Sequence, residues 1–329
     1  MNALFIGGTG VISSACARAA IARGVDVTLF CRGKTTSHSP ALGARVLYGD
    51  IREPSSVRAA LGDRRFDVVV QWVGFVPAHV EIDVGLFRKR TGQYIFISSA
   101  SAYLPGAPLP ITEATPLDNP YSQYSRDKIA CEARLSQAHR DGDFPVTIVR
   151  PSHTYDATSL PLRGGWTAVD RMRRGLPVIV ADDGASLWTL THSDDFARAF
   201  VALFGRPEAF GEDFHVTSDE AITWTQIHEI IARAAGAAPR LAYVPAKVIA
   251  EVDPDWGASL LGDKTHSKVF DNSKIKRLAK GYKAAIPFAK GAAEQIAWHD
   301  ADAARRAVDA ELNATMDRVL LRAAAPETR

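Results

Sequence analysis

Tyr124 and Lys128 stand four residues apart in Tyr-Ser-Arg-Asp-Lys, inside a stretch, 121–138, whose pattern predicts one long helix. Residues four apart project from the same helical face, so a phenol and an ammonium can work on one group. A phenol of ordinary pKa ~10 is a weak base at neutral pH, and a neighbouring ammonium favours its phenolate and tunes it toward proton transfer. A serine hydroxyl donating to the substrate oxygen would complete the set. Ile97-Ser98-Ser99-Ala100-Ser101 supplies candidates at the end of a predicted strand, the place where parallel sheets receive ligands. The chemistry such residues can do is proton transfer to or from an alcohol or carbonyl oxygen.

The elements that must position them read as alternating strands and helices. Strands are expected over 3–6, 25–30, 45–48, 67–73, 94–98 and 146–150, and helices over 12–23, 55–61, 80–90 and 121–138. That rhythm specifies an α/β chain with a Rossmann-type, doubly wound parallel sheet. Past Pro151 the texture changes to a Gly/Pro-rich, aromatic-bearing segment. Helices are expected there over 168–174, 223–236, 274–278 and 291–307, with a strand over 178–181 and frayed residues over 323–329. The expected division is a dinucleotide-binding domain over 1–150 and a smaller, mixed α/β substrate-binding region over 151–329, interleaved with the sheet.

Gly7-Gly8-Thr9-Gly10 follows the first strand directly and opens the first helix, where backbone N–H groups can receive a pyrophosphate. Ser13 stands where a third glycine often ends such turns, and is small enough for the helix to approach the strand. The end of the second strand reads Phe30-Cys31-Arg32-Gly33-Lys34, without a carboxylate to grip a ribose 2′-OH. Arg32 and Lys34 can face a 2′-phosphate, which favours NADP over NAD; the alternative is Arg32 stacked on adenine with NAD bound. Asp50-Ile51, after the third strand, can hold the adenine, or Asp50 is a solvated loop residue. Lys128 can also hold the nicotinamide ribose.

Composition narrows the partners. With 39 basic and 37 acidic side chains and a net charge of +2, nothing in the overall charge favours nucleic acid or an anionic membrane. No stretch approaches the ~20 apolar residues of a membrane span. Cys16, Cys31 and Cys131 read as free thiols, without the close pairing that metal or redox sites need, and no metal is expected. Met1 to Ile6 runs into the glycine turn with no signal sequence, so the cytoplasm is the expected compartment.

Taken together, the glycine turn, Phe96-Ile97-Ser98-Ser99-Ala100-Ser101-Ala102-Tyr103, Tyr124 with Lys128, Arg150-Pro151-Ser152 and Thr191-His192-Ser193-Asp194-Asp195 make the chain resemble the extended and atypical short-chain dehydrogenase/reductase superfamily. The resemblance is specifically to its NAD-dependent epimerases and dehydratases, and it covers most of the chain. It implies Ser99, Tyr124 and Lys128 as the catalytic set. It implies NAD(P) held by Gly7, Thr9, Gly10, Val11, Ile12, Arg32, Lys34, Asp50, Ile51, Trp72, Val73, Gly74, Lys128, Pro151 and His153.

Two departures bear on the reaction. The Asp-Glu pair that performs elimination in sugar-nucleotide 4,6-dehydratases is replaced by Ala100 and Ser101, which disfavours that chemistry. The arginine that meets a nucleotide diphosphate, four residues before the His of His-x-Asp-Asp, is Trp188. Trp188 can stack on a base or sugar or belong to the core, and His153 can face the substrate or be a structural histidine. Ser101, Tyr103, Tyr155 and Trp166 are the further candidates for the substrate pocket. The expected activity is redox at a sugar or nucleoside-type hydroxyl, with an NDP-sugar or nucleoside epimerase first and an NADP-dependent reductase of a small carbonyl second. A homodimer is expected from the resemblance. A third reading, RNA binding, comes from likeness to the chloroplast stem-loop-binding relatives; the near-neutral charge argues against it.

Overall fold

The computed structural model describes residues 1–34, 38–142 and 144–325. The first half runs β1 (Asn2–Ile6), α1 (Val11–Ala22), β2 (Asp26–Cys31), β3 (Arg45–Tyr48), α2 (Pro54–Leu61), β4 (Phe66–Gln71), α3 (Pro77–Phe87), β5 (Thr91–Ile97), α4 (Gln123–Arg140) and β6 (Val146–Pro151). The second half continues with β7 (His153–Tyr155), α5 (Trp166–Arg173), β8 (Pro177–Ala181), β9 (Leu187–Trp188), β10 (Leu190–His192), α6 (Ser193–Phe200) and β11 (Asp213–Val216). Then come β12 (Ile222–Thr223), α7 (Trp224–Ala234), β13 (Arg240–Val244), α8 (Ala246–Val252), α9 (Pro254–Ser259), α10 (Ser273–Leu278), α11 (Phe288–Asp300) and α12 (Ala310–Ala324).

Seven of these strands form one parallel sheet in the order β3-β2-β1-β4-β5-β6-β11. The apolar runs Ala3 to Ile6 and Val68 to Val70 are buried on both sides because helices cover both faces. One core lies between the sheet and α1 with α6, from Phe5, Val27, Leu29, Phe196 and Phe200. The other lies between the sheet and α2, α3 and α4, from Leu4, Val57, Val84, Phe96 and Leu135. The strand order reverses between β1 and β4, and the carboxyl ends of those strands form the crevice in which such sheets bind ligands.

The division at residue 150 meets a specific finding: β11, from the second half, is the seventh strand of the sheet and pairs with β6. The remaining strands of the second half make three two-stranded pieces around a separate apolar cluster of Trp166, Met172, Trp188, Trp224, Ile227 and Phe288. α11 ends at Asp300, before the expected 307, because the Asp302 carboxylate accepts from the Ala304 N–H and starts a new turn. α12 continues where fraying was expected through Ala324; residues 326–329 lie outside the described residues. No helix among the described residues is long and apolar enough to cross a membrane.

Candidate active site

The glycine turn lies at the end of β1 with Gly7 at φ 102° and Gly8 at φ 117°, conformations glycine adopts without steric cost. A Cβ on Gly8 would lie 2.7 Å from Leu29 Cδ2. Gly10 is the N-cap of α1, and its N–H donates to Ser13 Oγ at 2.9 Å, so the serine that replaces a third glycine closes the turn. The N–H groups of the first helical turn, Val11 and Ile12 among them, have no intrahelical acceptor, the arrangement that receives an anion.

A cavity of about 690 Å³ extends from this turn across the carboxyl ends of the strands. Gly7, Thr9, Gly10, Val11, Ile12, Arg32, Asp50, Ile51, Trp72, Val73, Ser99, Tyr124, Lys128, Pro151 and His153 all border it. Lys34 is exposed and does not border it, and Gly74 contributes instead a carbonyl that accepts from Lys128. Arg52, Tyr48 and Phe75 line it as well, unforeseen in the sequence. The Arg52 guanidinium donates to the Val73 carbonyl at 2.7 Å, while the Asp50 carboxylate accepts the Arg52 N–H at 3.0 Å. Two buried polar atoms on the cavity wall, Ser98 Oγ and Trp72 Nε1, have no protein partner. Size, the helix start and these orphaned groups fit a dinucleotide.

α4 carries Tyr124, Lys128 and Glu132 along one face, at successive intervals of four. Glu132 is clamped by Arg150 of β6 in a buried pair, 2.6 Å between Nη2 and Oε2, which fixes the rotation of the helix and aims Tyr124 at the cavity. Lys128 is 2 % exposed, and its ammonium donates to the carbonyls of Gly74 at 2.6 Å and Ile97 at 2.8 Å. Burial lowers its pKa to about 8. Burial pushes the Tyr124 phenol above its ordinary value, and a hydrogen bond from Ser99 acts in the opposite direction. The contact that favours the phenolate is therefore with Ser99, whereas the sequence pointed to Lys128, two of whose three donors go to backbone carbonyls.

Behind Ser99 lies a chain of hydroxyls. Ser125 Oγ donates to Ser101 Oγ at 2.9 Å, and Ser101 and Ser99 are joined at 2.9 Å. With Ser125 giving its proton to Ser101, the order Ser125 to Ser101 to Ser99 to Tyr124 leaves every hydroxyl proton directed at the phenol oxygen. Ser125 is fully buried, so the chain ends there away from solvent, and its effect on Tyr124 is polarisation.

A second cavity of about 220 Å³ adjoins the first, sharing Ser99, Pro151, Ser152 and His153 with it. Ser101 and Trp188 border this second cavity, and Trp188 Nε1 donates to His153 Nδ1 at 3.1 Å. Burial holds the His153 imidazole neutral, with a pKa lowered to about 3. Three expected pocket residues do not border either cavity. The Tyr103 hydroxyl accepts from Arg150 at 3.0 Å and bonds His215 Nδ1 at 3.2 Å; Tyr155 packs edge-on against His192 and Phe288; Trp166 stacks on His299. All three rings are buried, their apolar area drawn into the core. Among the described residues no cluster of His, Cys, Asp and Glu could hold a metal, and all three cysteines are free thiols.

Residues 3–217 match the model of the NAD dependent epimerase/dehydratase family. The chain belongs to that family. Its members are nicotinamide-dependent enzymes of the extended short-chain dehydrogenase/reductase type, and so is this chain. It is 30% identical over 294 residues to the 2'-dehydrokanamycin reductase of Streptomyces kanamyceticus, across 86% of this chain and 80% of the relative. It is 28% identical over 245 residues to the chloroplast stem-loop binding protein of 41 kDa b of Arabidopsis thaliana, across 71% of this chain and 63% of the relative. Its fold is similar to that of the UDP-glucose 4-epimerase of Bifidobacterium longum solved with NAD+ and UDP. That match has a TM-score of 0.74 and 19% identity, across 92% of this chain and 99% of the other.

Proposed function

We propose that the enzyme reduces, reversibly and with NADP(H), the carbonyl of a sugar-type compound that is not a nucleotide diphosphate. The observation that carries this reading is the meeting of the two cavities at Ser99 and His153, within reach of Tyr124, with Trp188 where a diphosphate-binding arginine would stand. Similarity to a reductase of a dehydro-aminoglycoside supports the order of preference, placing the reductase ahead of the epimerase expected from the family pattern alone.

A nicotinamide dinucleotide bound in the larger cavity supplies the hydride donor or acceptor. Gly7, Gly10, Val11 and Ile12 would face its pyrophosphate, Arg32 a 2′-phosphate, and Lys128 the nicotinamide ribose. In the reducing direction Tyr124 gives its proton to the substrate oxygen as hydride reaches the carbon; in oxidation its phenolate, stabilised by Ser99, takes the hydroxyl proton. Ser99 also stands where it can orient that oxygen. A cytoplasmic homodimer, paired through the helices beside the site, belongs to the same proposal.

Epimerisation is the second reading, favoured by the family match. Tightly retained dinucleotide in the purified protein, with no net NADPH consumption, would select it, whereas freely exchanging NADPH selects reduction. Substituting Tyr124→Phe removes the proton donor and is expected to lower kcat by roughly 100-fold or more while dinucleotide affinity changes little. Turnover retained in that variant overturns the mechanism. Salt-sensitive RNA retention in place of dinucleotide binding would overturn the enzyme reading altogether.

A further inference from the structure

The smaller cavity contains a feature the reaction above does not use. Lys268 borders it with its side chain 4 % exposed, and its ammonium has no hydrogen-bond acceptor in the protein. The nearest carboxylate oxygen, on Asp263, is 3.7 Å away, beyond hydrogen-bond reach. The residue is not there by slack packing. Its N–H donates to the Leu187 carbonyl at 2.8 Å and its carbonyl accepts from Thr189 at 2.7 Å, which pins it on either side of Trp188. Asp263 offsets part of the cost of desolvating this ammonium through its charge, but the hydrogen-bond acceptor it lacks is one that a ligand oxygen can supply.

The other polar groups on this wall point to the same ligand. Lys264 brings a second ammonium, which donates to Ser259 Oγ at 2.8 Å. His153 accepts from Trp188 at Nδ1 and is neutral, so its other ring nitrogen carries a proton and is a donor. Against these donors stands one carboxylate, Asp263, leaving two lysines and one acid around the cavity. Such a wall is complementary to a ligand rich in acceptors with one negative charge, and opposed to a cationic one.

Building on the carbonyl-reductase reading, we propose that the smaller cavity recognises an oxyanion substituent, carboxylate or phosphate, on the sugar-type substrate, and that Lys268 is the residue that grips it. The substituent sits on the far side of Ser99 from the dinucleotide cleft and thereby sets which carbon faces Tyr124.

The test titrates D-glucuronate, D-glucose 6-phosphate, D-glucose and D-glucosamine into the full-length protein by calorimetry, with and without saturating NADP+. Wild type is expected to bind one of the two anions at least roughly tenfold more tightly than glucose or glucosamine. Whichever anion wins identifies the substituent. Lys268→Met and, as a second variant, Lys268→Gln should erase that preference, Lys268→Arg should keep it, and NADP+ affinity should be the same in all. Equal binding of all four ligands, binding of none, or an anion preference that survives in the folded Met or Gln variant overturns the proposal. NADP+ titrated alone separates the two readings. Dinucleotide binding without anion preference defeats this inference and leaves the reductase standing, whereas anion preference without dinucleotide binding does the reverse.

Discussion

The proposed proton-transfer group is a single phenol whose surroundings pull in two directions. Burial opposes ionisation of Tyr124 and the Ser99 hydrogen bond favours it. Ser99 owes its donor direction to Ser101 and, behind it, Ser125. A Ser125→Ala change removes the first donor, so the phenolate loses polarisation and the Tyr124 pKa rises. A neutral hydrogen bond is worth roughly 1 kcal/mol, so kcat/KM for alcohol oxidation at neutral pH should fall roughly fivefold. The rising limb of its pH profile should move upward by somewhat less than one pH unit; a fall in rate with an unmoved profile would assign Ser125 a packing role only. That Tyr124 and Lys128 share a helix face followed from their spacing, whereas the strand end offered several serines and only the family resemblance singled out Ser99; all three border one cavity. Ser125 and Lys268 were not legible in the sequence. Their partners lie far along the chain, Ser101 24 residues before Ser125, and no local period records such a meeting.

α4 turns a sequence interval into an aimed pair of side chains, and Glu132 fixes the aim. Arg150 is buried against Glu132 and Asp213, with Tyr103 completing its donors. Removing the helix's share of this cluster by Glu132→Ala leaves a buried guanidinium undercompensated and should cost about 3 kcal/mol, read as a lower urea midpoint. The same variant should lose turnover beyond what its folded fraction explains, because α4 is then free to rotate about its axis. Unchanged kcat per folded molecule would show that packing alone orients the helix. Elements of the first half were readable from their periodicity, with ends displaced by a few residues where Pro77 or Ser122 sets the helix start. The second half was less so. β7, β9, β10 and β12 are two or three residues long, too short for alternation to register, and α6 begins inside the Thr191 to Asp195 segment that was read as a motif. α12 has Asp309 as its N-cap and apolar Leu312, Met316, Val319 and Leu320 on one stripe, a signal present in the sequence.

For the molecule as a whole, buried histidines set the response to acid. Burial lowers the pKa of His215 and His228 and brings that of His153 to about 3. Each takes up a proton more readily in the unfolded chain than in the folded one, so stability falls as pH drops below ~6.5, for His153 by up to about 1.4 kcal/mol per pH unit. Asp83 opposes this. Burial raises it to about 6, so its folded form holds a proton that the unfolded chain has lost, and its contribution grows as pH falls from 6 toward 4. Burial also lowers His79 and raises Asp263, so four imidazoles against two carboxyls leave acid the destabilising direction: the urea midpoint should be lower at pH 5 than at pH 7.5, and an equal or higher midpoint would show that these imidazoles are not held neutral. The sheet itself carries a different consequence. Because β11 returns from beyond the sixth strand to close the edge of β6, the two halves of the chain share one covalent and hydrogen-bonded frame. Recombination that joins a new second half to the old first half at residue 150 would exchange a strand of the central sheet along with everything else beyond that point. New specificity is therefore more accessible through substitutions along 263–268 than through shuffling of halves.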